Sequence, residues 1–171
     1  PENDVLKRFY EAAVNLNVEY IIRCNADCPF IDYKILDKMI NNFEKYKKID
    51  YLSNILEQTF PIGMHIEIFT KKTLNKAHRN CKSMKRREHV TPYIYNNKKI
   101  ISKNFSSKIN LSHHRWTIDY FEDYLFTKKV YNNLYSSNKY FDMNDILKLL
   151  QKKKDLMNIN YHIIKNNNIV R

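Results

Sequence analysis

An amphipathic helical pattern that runs straight into a short β-branched segment sets the class of fold available to this chain. Between Asp4 and Asn17, the residues Val5, Leu6, Phe9, Tyr10, Ala13 and Leu16 recur at helical spacing, and Asn3 or Asp4 can serve as N-cap. The run Val18-Glu-Tyr-Ile-Ile-Arg-Cys24 follows directly and reads as a strand of the kind buried in a parallel sheet. Together they form the second half of a β-α-β unit. The alternation continues along the chain. Pro29 breaks it, and Asp32 can cap a helix whose apolar stripe is Leu36, Met39, Ile40 and Phe43. Asp50–Asn54 suggests a short strand. After the turn Pro61-Ile-Gly63, strict alternation in Met64–Phe69 sends Met64, Ile66 and Ile68 to one face and His65, Glu67 and Phe69 to the other. Helical patterns cover Lys71–Asn80, Arg87–Asn96, Tyr120–Tyr135 and Asn144–Lys153, and strand-like runs cover Lys99–Phe105 and His114–Ile118, before a polar tail. The expectation is an α/β fold with a mainly parallel sheet, in one domain over residues 1–171.

Gly63 is the sole glycine among 171 residues. That excludes Walker loops and dinucleotide-binding glycine fingerprints; the nucleophile elbow and His-Glu-x-x-His patterns are absent as well. Any phosphate bound by the protein must be held by another device. The formal charge of +12, from 30 basic and 18 acidic residues, attracts anions such as nucleotides, nucleic acids or anionic membranes. Much of the excess lies in runs such as Lys47-Lys48, Lys71-Lys72, Lys82–Arg87 and Lys152–Lys154, which also read as solvated helix ends. Cys24, Cys28 and Cys81 show no paired metal-ligand spacing. They support neither a disulfide framework nor a zinc site, and a reducing, cytoplasmic setting is expected. No apolar run is long enough for a membrane span.

Three constellations can carry chemistry. The first, Arg23-Cys-Asn-Ala-Asp27-Cys-Pro-Phe-Ile-Asp32, lies at the carboxyl end of the first predicted strand, where open α/β sheets bind ligands. Asp27 is placed to reach a metal and reads equally as a turn residue before a proline, whereas Asp32 reads as a helix cap. The second, His113-His-Arg-Trp-Thr-Ile-Asp119, also ends a strand-like run with an acid. Two such acids are a common way to share Mg²⁺ with phosphate oxygens, although Asp119 can instead cap the next helix with Glu122 completing a capping box. The third is Arg86-Arg-Glu-His-Val-Thr-Pro-Tyr93. Arg87 could fork onto a carboxylate or phosphate and His89 could donate to a sugar oxygen; equally, His89 can be structural and Glu88 can pair with Arg86 or Lys85.

Taken in order, Asp27-Cys-Pro-Phe-Ile-Asp32, Tyr51-Leu-Ser-Asn54, Arg87-Glu-His-Val-Thr-Pro-Tyr93 and Leu111–Asp119 resemble the cytidylyltransferases related to the spore-coat polysaccharide synthesis enzyme. These are relatives of the CMP-sialate and CMP-Kdo synthetases. The likeness runs from Glu2 to His162. It implies a Rossmann-like sheet of the nucleotide-diphospho-sugar transferase type. It also implies Mg²⁺-dependent transfer of CMP from CTP to an acidic, 2-keto-3-deoxy type sugar for surface polysaccharide. By this resemblance Asp27 and Asp119 would be the catalytic metal ligands. Arg23, His65, Glu67, Arg87, Glu88, His89 and Arg115 would surround the acceptor or the phosphates, and the enzyme would be a homodimer with no specific nucleic-acid partner.

Several departures stand out against that family. Ala26 and His65 occupy positions where relatives usually carry Gly and Asp, and Tyr120-Phe121 replaces a residue-plus-proline helix start. Relatives open with a strand and a Gly- and Arg-rich loop that cradles the triphosphate. This sequence opens Pro1-Glu-Asn-Asp on a helix, so it reads as the C-terminal portion of such a domain, binding CTP poorly by itself. The alternatives are a glycosyltransferase on a similar sheet, or a non-catalytic polyanion-binding protein.

Overall fold

In the computed structural model the described residues are 3–168. Pro1 and Glu2, where the chain and its family likeness begin, and the last residues of the polar tail lie outside them. The sequence reading took 1–171 as one domain. The structure divides into two compact units, each assembled from three separated stretches: Pro1–Arg23, Met39–Leu56 and Glu67–Phe105 in the first, and Cys24–Lys38, Glu57–Ile66 and Ser106–Arg171 in the second.

The first unit is built on a sheet with strand order β1-β3-β2-β4, where β1 is Tyr20–Cys24, β2 Tyr51–Ser53, β3 Ile66–Thr70 and β4 Ser102–Asn104. β2 and β4 are parallel, Tyr51 facing Ser102, while β3 runs against β2, Tyr51 facing Phe69. The Lys71 amide, just past β3, donates to the Glu19 carbonyl just ahead of β1 at 2.9 Å. β3 is therefore reversed against both neighbours, and the sheet is mostly but not entirely parallel. The alternation in Met64–Phe69 does not separate a wet face from a dry one, because Ile66, Glu67, Ile68 and Phe69 are all buried. A central strand is covered on both sides, so even its polar residue must find partners inside.

The helices α1 (Val5–Ala13), α3 (Lys71–Asn80), α4 (Met84–Glu88) and α5 (Pro92–Tyr95) pack together. Leu6, Leu74, Ala77, Val90 and Ile94 join Tyr51 and Phe69 in one core. Each helix start has a local reason: Asp4 Oδ1 accepts the Lys7 amide at 3.0 Å, and Thr70 Oγ1 accepts the Thr73 amide at 3.1 Å. The expected single helix Arg87–Asn96 is two short ones. Val90 interrupts it with φ 68°, and Pro92, which has no N–H to continue a ladder, opens the second. A β-branched residue adopts that conformation only when its surroundings compel it, and Val90 is fully buried in the core.

In the second unit Phe30 is the hub. Its ring lies 6.1 Å from Trp116, 6.2 Å from Phe126, 5.6 Å from Tyr131 and 6.1 Å from Phe141. The helices α6 (Phe121–Leu134), α7 (Met143–Lys152), α8 (Asp155–Asn158) and α9 (Tyr161–Asn168) complete this unit. The remaining helix, α2 (Tyr33–Lys45), starts in the second unit and ends in the first. Asp32 does act as a cap. Its Oδ1 accepts the amides of Lys34 at 2.8 Å and Ile35 at 3.2 Å, and its Oδ2 accepts the Met143 amide at 2.9 Å.

The run His114–Ile118 is not a ladder strand but a single parallel bridge, Ile62 to Arg115. The Ile62 amide donates to His114 O at 2.9 Å and the Trp116 amide to Ile62 O at 2.6 Å. Pairing stops there because Gly63 turns away at φ +96°, and its backbone lies against Trp116 and Thr117. A Cβ on residue 63 would come within 2.5 Å of the Trp116 carbonyl carbon and closer still to the Thr117 nitrogen. Gly63→Ala is therefore expected to cost roughly 3 kcal/mol or more, from a backbone clash added to a left-handed φ. Urea unfolding checks this: the midpoint should fall well below wild type, and a shift within about 0.5 kcal/mol would contradict the close approach.

Candidate active site

The chain leaves β1 at Cys24 and turns through Asn25-Ala26-Asp27, with the Cys28 amide closing onto Asn25 O at 3.2 Å. This turn is fixed to the segment that follows the Ile62–Arg115 bridge. The Asp27 carbonyl accepts the Ile118 amide at 2.9 Å and the Thr117 hydroxyl at 3.1 Å. Asp27 and Asp119, widely separated in sequence, are thus carried on two backbone segments bonded to one another within the second unit. The Cys28 thiol points at Asp27 Oδ1, 3.5 Å away. Burial pushes that thiol up to about 12, so Cys28 is no nucleophile at neutral pH. His65, half-buried in the same unit, accepts a long contact from the Gly63 amide at 3.5 Å.

Asp119 is oriented by an internal network. Arg115 donates to Asp119 Oδ2 at 2.6 Å through Nη2, and to both oxygens of Asp123 through Nε at 3.0 and 3.2 Å. Asn160 Nδ2 completes the set, reaching Asp123 Oδ1 at 2.8 Å and the Arg115 carbonyl at 3.0 Å. Asp123 Oδ2 also accepts the amides of Asp119 and Tyr120, each at 3.1 Å. The start of α6 is therefore satisfied by Asp123, not by Glu122, and Tyr120, not Asp119, is the N-cap. Burial works against both charges. Even so, the hydrogen bonds between Arg115 and Asp123 hold the guanidinium above its ordinary value and the carboxyl below the usual carboxylate range. The Arg115 side chain is 6% exposed and that of Asp119 is 49%. Arg115 thus serves as a strut for Asp119.

Two further expected ligand-contacting residues are also turned inward, both in the first unit. The Glu67 carboxylate, 1% exposed, takes the Tyr51 hydroxyl at 2.6 Å on one oxygen and Arg23 on the other. Burial, then the Glu67 charge, pushes the Tyr51 phenol up, so it stays a neutral donor. Glu67 is spent on orienting Arg23, whose side chain is 16% exposed. Arg87 is buried and bonds through Nε to Asp4 Oδ2 at 2.9 Å, and through Nη1 to the His78 and Cys81 carbonyls, both at 3.0 Å. It ties α1, α3 and α4 together and leaves Glu88 and His89 exposed on the turn after it. Asp4, Tyr51, Asp123 and Asn160 are the participants that sequence reasoning did not place. Of these, Asp4 was signalled by its capping position and Tyr51 by the Tyr51–Asn54 stretch, while no motif singled out Asp123 or Asn160.

Two carboxylates on adjoining segments, one of them half exposed, suit Mg²⁺, which takes oxygen ligands and keeps positions for water and phosphate. Among the described residues no group of three or more His, Cys, Asp or Glu side chains comes together to hold a metal. A metal here would draw its remaining ligands from water or substrate. A groove of about 770 Å³ elsewhere in the second unit is lined by Leu111, Leu147, Leu150 and Met157 and includes neither carboxylate.

The mostly parallel sheet and its helices define an α/β protein. The family model for cytidylyltransferases matches residues 1–165, and the chain belongs to that family. The spore coat polysaccharide biosynthesis protein SpsF of Bacillus subtilis is 30% identical over 76% of this chain and 54% of its own length. The uncharacterized protein MJ1063 of Methanocaldococcus jannaschii is 32% identical over 95% of this chain and 65% of its own length. A solved cytidylyltransferase structure from Leptospira borgpetersenii superposes with a TM-score of 0.86 at 34% identity, covering 91% of this chain and 65% of that one. The chain thus spans between about half and two thirds of the proteins it matches.

The second unit contains one imidazole that ties stability to pH. Burial, reinforced by the neighbouring His113, pushes His114 down to about 4. The unfolded chain then binds the proton more readily, so stability should fall as pH drops from about 6.5 to about 4, by about 2 kcal/mol. Asp4, Asp123 and Asp142 are lowered and lose their contribution only at still lower pH. Chemical denaturation across that range should show the slope in wild type and its loss in His114→Phe. An unchanged slope in the variant would refute the assignment.

Proposed function

We propose that the protein is a Mg²⁺-dependent cytidylyltransferase that transfers CMP from CTP to an acidic sugar destined for surface polysaccharide. One observation supports this most: the Asp27 turn and the Thr117–Asp119 segment, the acidic stretches expected to hold metal, are hydrogen-bonded to one another. The family membership and the name of the Bacillus relative supply the reaction class and the destination of the product. A net charge of +12 favours anionic substrates.

In this reading an acceptor hydroxyl oxygen bonds to the α-phosphorus of CTP, and the bond to the departing pyrophosphate breaks. Asp27 and Asp119 would hold Mg²⁺, which when bound neutralises phosphate charge and favours the in-line geometry. The chain's own contribution is positioning. Thr117 and Ile118 pin the Asp27 turn, Arg115 fixes the direction of the Asp119 carboxylate, and Glu67 fixes Arg23. Arg23, Glu88 and His89 of the first unit and His65 of the second are the candidates for substrate contact, with Arg87 and Arg115 each acting on neighbours within its own unit.

The test is pyrophosphate release from CTP and Mg²⁺ with a panel of 2-keto-3-deoxy sugar acids, using the full-length native protein. Asp27→Asn and Asp119→Asn should each lower the rate by about 100-fold or more, the loss of one charged metal ligand. Thermal unfolding should stay close to wild type, because Arg115 keeps Asp123 as its partner when Asp119 is neutralised. Equal rates in wild type and variants would overturn the proposal. So would nucleoside diphosphate released from a nucleotide sugar with no pyrophosphate formed, which is the signature of a glycosyltransferase.

A further inference from the structure

From Ile68 to Arg87 the chain contains no Asp or Glu, while Lys71, Lys72, Lys76, Arg79, Lys82, Lys85, Arg86 and Arg87 fall within it. The two end members have internal work. Lys71 Nζ bonds to the carbonyls of Val14 at 3.0 Å and Leu16 at 2.5 Å, and Arg87 is buried against Asp4. The six cations between them are at least partly exposed, and among the described residues none is paired with a carboxylate. Lys72, Lys76 and Arg79 repeat at helical spacing on α3, so they share a face, and Lys82, Lys85 and Arg86 follow within the next two turns. Concentrated like charge of this kind disfavours the compact state, so folding does not account for it.

We infer that this stretch of the first unit is a docking surface for an anionic phospholipid bilayer. Charge complementarity names an extended anion, and two details favour lipid over nucleic acid. No Phe, Tyr or Trp lies between Lys71 and Arg87, and the Tyr10 ring that meets this stretch is already stacked on His78 at 4.0 Å, so the stretch supplies no row of free rings of the kind single-strand binders use. Met84, 55% exposed, stands among Lys82, Lys85 and Arg86, the pairing of an apolar side chain with cations that suits a headgroup boundary. No helix among the described residues is long and apolar enough to cross a membrane. This inference stands on the charge distribution and does not depend on the catalytic reading.

Sedimentation with phosphatidylcholine vesicles, with and without phosphatidylglycerol, provides the test. Wild type should bind only the anionic vesicles and release as salt rises. Each cation removed should weaken partition about fivefold, so the triple variant Lys72→Glu, Lys76→Glu, Arg79→Glu should lose binding by roughly 100-fold or more. A control triple with the same charge change in the second unit, Lys128→Glu, Lys129→Glu, Lys139→Glu, should bind at least tenfold better than the α3 triple; circular dichroism melts establish that both triples fold. Equal loss in the two triples would reduce the effect to net charge and overturn the inference. Binding to duplex DNA or RNA that depends on the α3 cations and displaces the vesicles would overturn it in favour of a nucleic-acid face.

Discussion

Gly63 lies against the backbone of Trp116 and Thr117, and that approach decides where the rest of the second unit can go. With the turn this tight, the bridge between Ile62 and Arg115 ends after one residue pair, and the chain is free to turn its next polar groups toward Asp27. Thr117 and Ile118 then bond the Asp27 carbonyl, which brings two acidic segments alongside one another. The same few residues also start α6, because Asp123 accepts the amides of Asp119 and Tyr120 while holding Arg115. Packing, helix capping and the placement of the candidate metal ligands are thus consequences of one close contact.

A second theme is the use of buried charge as scaffolding. Arg87 with Asp4, Glu67 with Arg23 and Tyr51, and Arg115 with Asp123 and Asn160 each place an ionised group where it is almost fully covered. Removing one partner from such a set strands the other, so these networks specify geometry more than they add stability. Two of the three also adjoin an exposed polar residue of the third or second constellation: Arg87 precedes Glu88 and His89, and Arg115 holds Asp119. The arrangement is that of a rigid inner layer presenting a polar outer one.

Four of the longer helices were legible because their signals are local, whereas α8 and α9 fall in the stretch read as a polar tail. Lys71–Asn80 follows its predicted bounds, and α1, α6 and α7 begin and end within a few residues of theirs. The α/β class and the family followed from ordered stretches of sequence. What the sequence could not display were partners far along the chain. Arg87 finds Asp4 across 83 residues and Arg23 finds Glu67 across 44, so neither arginine shows its partner within its own stretch of sequence. Val90 misled for a related reason: its helical neighbours argue for continuity, and only the core that buries it demands a left-handed turn. The strand at His114–Ile118 was overread because alternation cannot reveal that its neighbour is a glycine turn and not another strand.

The central claim is that Asp27 and Asp119 form one metal site on bonded backbone segments. Nuclear magnetic resonance of the isotope-labelled protein titrated with Mn²⁺ tests it most directly, since a paramagnetic ion broadens the amides nearest to it. The account expects the signals of Asp27, Cys28, Ile118 and Asp119 to broaden first and together, and the effect to vanish in Asp27→Asn. Broadening centred on other carboxylates, or signals at Asp27 and Asp119 that respond independently of one another, would contradict it.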